Sequence, residues 1–171
     1  MKKVLIIFIA LFISASVFAQ EDFLRNEIRV NLFPSLVFLF PELTYERVLN
    51  HNFSVGVSAG IATVDRPILR DFNIIPFGRF YFGEQPARGF FLEANAALFA
   101  PGAGLGFSYG PDDDPFSRFD GVYFGAGLGA GGKLVTRNNW VWEAMIGVGR
   151  GNGEGMAAEY WRWGVSVGRR F

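Results

Sequence analysis

The sequence predicts an all-β fold: an eight-stranded antiparallel up-and-down transmembrane β-barrel. Three observations predict it: repeated alternation of apolar with polar side chains, an aromatic content of 17% with 20 Phe and 22 Gly, and no long helical pattern. Successive side chains of a strand point to opposite faces, so each alternating segment has one apolar and one polar face. Strands of about 9 to 11 residues with such faces are typical of membrane barrels.

Residues 1–19 are predicted to be a signal peptide, which leaves residues 20–171 as one barrel domain. Lys2 and Lys3 precede an apolar run, and Val17 and Ala19 occupy the positions where a signal peptidase requires small residues. The run is shorter than the roughly 20 residues of a membrane-spanning helix. We therefore expect export and localisation in the outer membrane.

Composition excludes several functional classes. The chain has 16 basic and 16 acidic residues, and without Lys2 and Lys3 the balance is 14 to 16, so we expect no nucleic-acid partner. It has no cysteine, which excludes a lipidated amino-terminal cysteine, disulfides and Cys-ligated metal.

Alternation predicts the first four strands at residues 26–38, 42–46, 53–63 and 71–82. Asn50, His51 and Asn52 have the composition of a turn. Pro76 lies inside the fourth strand, and because proline lacks a ladder donor we expect a bulge there.

The remaining strands are predicted at residues 90–100, 121–135, 140–148 and 160–171. Short turns after the second, fourth and sixth strands alternate with longer connections at 64–70, 101–120 and 149–157. This alternation is typical of membrane barrels, with the longer connections as outer loops. In lipid the sheet must close, because each unpaired edge group costs several kcal/mol.

The polar parity places five acids and five bases inside the barrel: Glu27, Glu42, Glu46, Glu93, Glu143, Arg29, Arg79, Lys133, Arg162 and Arg170. The interior of an eight-stranded barrel is just wide enough to be filled by side chains, so we expect these groups to form a charge network without an open pore. Turn positions place Arg79 opposite Glu93 and Lys133 opposite Glu143. A proton or ion path is the functional alternative.

The last strand ends on an aromatic residue with apolar residues at alternate positions before it. It resembles the carboxy-terminal signal by which outer-membrane barrels reach their assembly machinery, and the matching residues are Trp161, Trp163, Val165, Val167 and Phe171. Arg169 departs from the pattern, since its side chain lies on the face predicted to contact lipid. Its guanidinium would have to extend to the membrane interface, as snorkelling arginines do. An edge strand of a soluble sandwich is the alternative.

Other motifs indicate no catalytic or cofactor site. Gly127, Gly129 and Gly132 have the spacing of a dinucleotide fingerprint, but a strand follows them instead of a helix. His51 is the single histidine, which makes a lipid-modifying barrel enzyme a weak hypothesis. Residues 112–114 are three aspartates that could hold calcium, although a solvated loop explains them as well. We expect no cofactor, no metal and no enzymatic activity.

Aromatic residues at strand ends are typical of interfacial girdles. The predicted girdle residues are Trp140, Trp142, Trp161, Trp163, Phe72, Phe80, Phe82 and Phe90.

Four runs, residues 26–32, 41–47, 76–83 and 89–95, resemble an uncharacterised family of small outer-membrane barrels from Bacteroidota. The resemblance covers nearly the whole mature chain and implies a barrel built like the OmpA membrane domain, without established catalytic residues. The expected function is structural or interactive at the cell surface. Expected partners are outer-membrane lipids and lipopolysaccharide, with periplasmic chaperones and the assembly machinery during biogenesis, and the barrel is expected to be a monomer. A soluble lipocalin-like barrel that binds an apolar ligand is the alternative.

Overall fold

The computed structural model describes residues 23–63, 72–100, 122–153 and 156–171, which form a closed antiparallel barrel of eight strands. Each strand pairs with the next, and β8 pairs back with β1. The strands are β1 (Asn26–Asn31), β2 (Glu42–Val48), β3 (Phe53–Ile61), β4 (Phe72–Tyr81), β5 (Gly89–Ala100), β6 (Tyr123–Val135), β7 (Trp140–Gly153) and β8 (Met156–Arg170). The predicted eight-stranded antiparallel barrel is confirmed.

Closure fixes the tilt of the strands. A path through directly paired residues leaves β8 at Val167, passes once around the ring and returns to β8 at Ala157, ten residues away. For eight strands this stagger corresponds to a tilt of about 41° and a backbone radius of about 8 Å. An interior of this size holds little beyond side chains.

Side chains on the two parities of the strands have opposite environments. On β2, Glu42, Thr44 and Glu46 are buried in the barrel, whereas Leu43 and Tyr45 are exposed outside. The burial alternates in the same way along β4 and at residues 159–166 of β8. The polar parity thus faces inward, as the alternation predicts.

The predicted first strand, residues 26–38, is wrong in its second half. β1 ends at Asn31, and a short helix, α1 (Leu32–Val37), follows it. The alternation stops at this point, since residues 32–38 are apolar apart from Ser35. Pro34 fits the first helical turn, where its missing N–H is no loss, and the Ser35 hydroxyl donates to the Asn31 carbonyl over 2.5 Å.

The predicted loop at residues 149–157 is also wrong, because β7 continues to Gly153 and β8 begins at Met156. Gly149 and Gly151 lie within β7 and make room for aromatic side chains in the lumen. A Cβ atom at Gly149 would overlap the ring of Tyr160, and one at Gly151 would lie 2.9 Å from the ring of Phe99. Only residues 154–155 of this connection lie outside the described strands.

The bulge expected at Pro76 is not found. Pairing with β3 runs through Pro76 without a shift, and pairing with β5 has the same register before and after it. The ladder to β5 omits only Ile75 and Pro76. The missing donor therefore interrupts the ladder locally without inserting a residue.

Two further predictions concern residues outside the described ranges: the signal peptide at 1–19, and the outer loops at 64–70 and 101–120 with the aspartates 112–114. Among the described residues, no helix has the length and apolar character of a membrane span.

Candidate functional site

A cluster of ionised side chains fills the middle of the lumen. The structure places all ten inward charges predicted from the sequence in buried positions: Glu27, Arg29, Glu42, Glu46, Arg79, Glu93, Lys133, Glu143, Arg162 and Arg170. Nine of them form one continuous network of ion pairs, and Glu42 lies apart. The charges come from seven of the eight strands, so the cluster ties the barrel together across its interior.

Glu46 of β2 is the centre of this cluster. Its carboxylate accepts from Arg29 Nη2 at 2.6 Å, from Arg79 Nη1 at 2.8 Å and from Lys133 Nζ at 2.7 Å. The Ser54 hydroxyl and the Tyr81 hydroxyl also donate to it, at 2.6 and 2.7 Å. A buried carboxylate is stable only when it is paired and hydrogen-bonded, and Glu46 meets both conditions. Sequence alternation predicts its inward position but not this central role.

Arg79 of β4 joins three carboxylates. It lies directly opposite Glu93, which confirms the predicted register, and its Nε donates to Glu93 Oε2 at 2.8 Å. Its Nη1 also reaches Glu46 at 2.8 Å and Glu143 at 2.6 Å. The guanidinium lies between the rings of Phe77 and Phe91, at 4.4 and 4.3 Å from their centroids. Such stacking suits Arg better than Lys.

The ion pairs of Lys133 on β6 show that a buried charge does not pair only with residues on the neighbouring strands. It lies opposite Glu143, as the turn position predicts, but its Nζ is 3.7 Å from that carboxylate. The shorter contacts are with Glu27 at 2.9 Å and Glu46 at 2.7 Å, on strands across the lumen. The interior is narrow enough for long side chains to cross it, so contacts across the lumen are shorter than the predicted facing pair of Lys133 with Glu143, whereas the facing pair of Arg79 with Glu93 forms directly.

Two arginines of β8 extend the network toward the ends of the barrel. Arg170 pairs with Glu27 at 2.5 Å and donates to the carbonyls of Pro86 and Ala87 at 2.9 Å each, which holds the β4–β5 turn against the lumen. Arg162 pairs with Glu93 at 2.5 Å and also donates to the Ser58 hydroxyl.

Glu42 does not belong to the network in which the sequence places it. Among the described residues it has no ion pair, and it accepts only from the amides of Asn31 and Asn73, at 3.3 Å each. The end of the barrel with the short β2–β3, β4–β5 and β6–β7 turns is called the turn end, and the opposite end is called the loop end. Because Glu42 is the first residue of β2, its carboxylate lies closer to the loop end than that of Glu46.

Buried aromatic side chains pack inside the lumen on both sides of the charges. Toward the turn end, Tyr81 and Phe91 pack with Val48 and Ala87. Toward the loop end, the cluster consists of Ile75, Ala97, Phe99, Tyr123 and Tyr160. Phe91 and Phe99 lie on the same face of β5 as Glu93, so the alternation in β5 signals that one ring of each layer faces inward.

The remaining motif residues lie in a turn and on a strand. His51 lies in the β2–β3 turn, where its Nε2 contacts the carbonyl of Glu84. Of the three glycines with fingerprint spacing, Gly127 makes room for Tyr160, Gly129 packs against Met145 and the backbone of β7, and Gly132 points outward. No group of three or more His, Asp or Glu in the described part of the chain could hold a metal ion.

The outer wall carries the residues predicted as girdle and assembly signal. Trp161, Trp163, Val165 and Phe171 are exposed, and Val167 is half-buried. Of the other girdle residues, Trp140, Trp142, Phe80, Phe82 and Phe90 are exposed and Phe72 is half-buried.

A family model described as "Protein of unknown function (DUF3575)" matches residues 4–163. No curated protein matches the chain, and neither does any solved structure.

Proposed function

The chain belongs to the DUF3575 family of proteins of unknown function, and we propose that it is an integral outer-membrane β-barrel with a structural or surface-interaction role and no open pore. The observation that carries this proposal is the reversed polarity of the barrel. All eight strands present large apolar side chains outward, while the ionised side chains are buried inside. A barrel dissolved in water would expose this apolar wall at a high cost in free energy.

Charged residues on the outward parity of the strands lie only near the two ends. Arg47 and Arg169 lie at the turn end, and Arg150 and Glu159 face each other toward the loop end. Along β7, ten residues separate Arg150 from Trp140, the partner of Arg169. At about 2.5 Å of climb per residue this gives a charge-free belt about 25 Å tall, the height of the apolar band of membrane barrels.

The filled interior supports a role other than transport. Ion pairs occupy the middle of the lumen and aromatic layers lie on either side of them. A lipocalin-like barrel needs the opposite arrangement, an apolar cavity inside and a polar wall outside. The proposed partners are therefore the lipids and lipopolysaccharide around the wall, with chaperones and the assembly machinery during insertion.

Membrane fractionation with heat-modifiable migration tests the proposal. We expect the protein in the outer-membrane fraction after a urea wash. After detergent extraction, we expect its band on a gel to shift between unheated and boiled samples, because a closed barrel resists detergent until it is heated. Recovery in the soluble periplasmic fraction would contradict the proposal and favour the lipocalin-like alternative.

A further inference from the structure

The barrel wall is much lower at β1 and β2 than at β7 and β8. At the turn end β1 and β8 are level, since the backbones of Asn26 and Phe171 exchange hydrogen bonds of 3.0 and 2.7 Å. From that level β1 has 6 residues and β8 has 15. At the tilt of this barrel these lengths correspond to about 15 and 37 Å. A membrane band about 25 Å tall would therefore extend beyond the strands on the β1–β2 side.

On the side of this gap, the ladder that β8 forms with β1 is short. The ladder between β1 and β8 ends at the pair Asn31 and Ser166, and β8 continues for ten more residues to Met156. Backbone groups at membrane depth require partners, because an unpaired group costs several kcal/mol. Beyond the ladder, the Asn31 side chain supplies one of these partners, since its Nδ2 donates to the carbonyl of Trp163 at 3.4 Å.

The connection between β1 and β2 occupies the gap. Residues 32–41 are Leu-Phe-Pro-Ser-Leu-Val-Phe-Leu-Phe-Pro, without a charged residue. At one side Phe33 and Phe38 pack on Trp163 of β8, with ring centroids 4.6 and 6.2 Å apart. At the other side the carbonyl of Leu39 accepts from the backbone of Thr63 at 3.1 Å and from its hydroxyl at 2.6 Å, beyond the end of β3. The segment thus bridges β8 and β3 above the short strands.

The bridge presents apolar side chains to its surroundings. Leu36 is 74% exposed and Val37 is 53% exposed. Beside it, the outer wall has an apolar groove of about 450 Å³, whose lining includes Val30, Pro41, Leu43, Ala59, Ile61 and Ile74. A surface loop in water would gain nothing from such a composition, whereas a segment in contact with hydrocarbon requires it.

We propose that residues 32–41 form a lipid-inserted patch that completes the barrel wall between β8 and β3, and that the patch and its groove bind acyl chains of the surrounding leaflet. This inference rests on the proposed function and goes beyond it. It distinguishes the first outer connection, which lies in the membrane, from the longer connections expected at the surface. Acyl chains suit the patch because residues 32–41 have no charged side chain that could bind a polar partner.

Single cysteines test the patch without interference, since the chain has none of its own. The variants are Leu36→Cys in the patch, Leu128→Cys in the charge-free belt and Asn138→Cys in the exposed β6–β7 turn. Each is folded into phosphatidylcholine vesicles made permeable to small solutes and treated with a charged, water-soluble maleimide. Boiling in detergent, followed by labelling, measures the total thiol, and the gel shift confirms that each variant is folded.

We expect labelling of Leu36→Cys to be lost to the same extent as that of Leu128→Cys, while Asn138→Cys is fully labelled. Leu36 is largely exposed on the protein, so the described part of the chain does not itself shield this position from the reagent. Full labelling of Leu36→Cys with Leu128→Cys protected would overturn the patch and leave the membrane barrel standing. Labelling of both would overturn the patch and the proposed function together.

Discussion

Replacing Glu46 by glutamine is expected to cause the largest loss of stability among charge substitutions in the lumen. The change removes one negative charge from the contacts of Arg29, Arg79 and Lys133, all of which are buried. Removing one partner of a buried ion pair typically costs about 3 to 5 kcal/mol, because an uncompensated charge remains. Urea unfolding of the barrel in lipid vesicles, followed by the gel shift, measures this loss.

Two further variants show whether charge is the cause. Glu84→Gln removes a carboxylate from the exposed β4–β5 turn and should change stability by less than about 0.5 kcal/mol. Lys133→Met added to Glu46→Gln should restore part of the loss, since it removes one of the stranded cations. If Glu46→Gln unfolds at the same urea concentration as Glu84→Gln, the ion cluster does not stabilise the barrel.

An arginine placed in the charge-free belt is expected to have the second large effect. Leu128 and Leu134 both lie on β6, face outward and are 69% and 63% exposed, but Leu134 lies at the turn end. On the lipid face of a membrane barrel, Arg costs about 2 to 4 kcal/mol at mid-depth and about 0 to 1 near the interface. Leu128→Arg should therefore destabilise the barrel in vesicles far more than Leu134→Arg, as measured by urea unfolding.

The same two variants separate a membrane barrel from a soluble one. On a wall exposed to water, both arginines are surface substitutions with similar effects, within about 0.5 kcal/mol of each other. Equal unfolding midpoints for Leu128→Arg and Leu134→Arg would therefore contradict a hydrocarbon environment at the belt.

Alternation in the sequence predicts which side chains face inward, because the two-residue period of a strand is a local property. It therefore places all ten buried charges inside the barrel, while the turn positions predict the registers of Arg79 and Lys133. It does not predict that Lys133 contacts Glu27 and Glu46 more closely than Glu143, since those contacts cross the lumen between strands distant in the chain. The central role of Glu46 depends on the same three-dimensional closure.

The predictions of secondary structure that are wrong involve residue types that occur in two different structural settings. Glycines near residue 150 have the composition of a loop, but here they give space to Tyr160 and Phe99 within a pair of strands. The apolar residues of α1 come directly after β1, and hydrophobicity does not drop between the two elements. Only the loss of alternation after Asn31 therefore marks the start of the helix. The stagger of ten residues has no local signal, because it is the sum of the registers of all eight strand pairs.

The fluorescence of the four native tryptophans tests most directly whether the outer wall is in hydrocarbon. All four are on the exposed outer face, at Trp140, Trp142, Trp161 and Trp163. In vesicles whose lipids carry bromine on their acyl chains, we predict strong quenching of the emission and little quenching by iodide in the water. Emission that iodide quenches and brominated chains leave unchanged would mean that these rings face water, and the membrane barrel would be wrong.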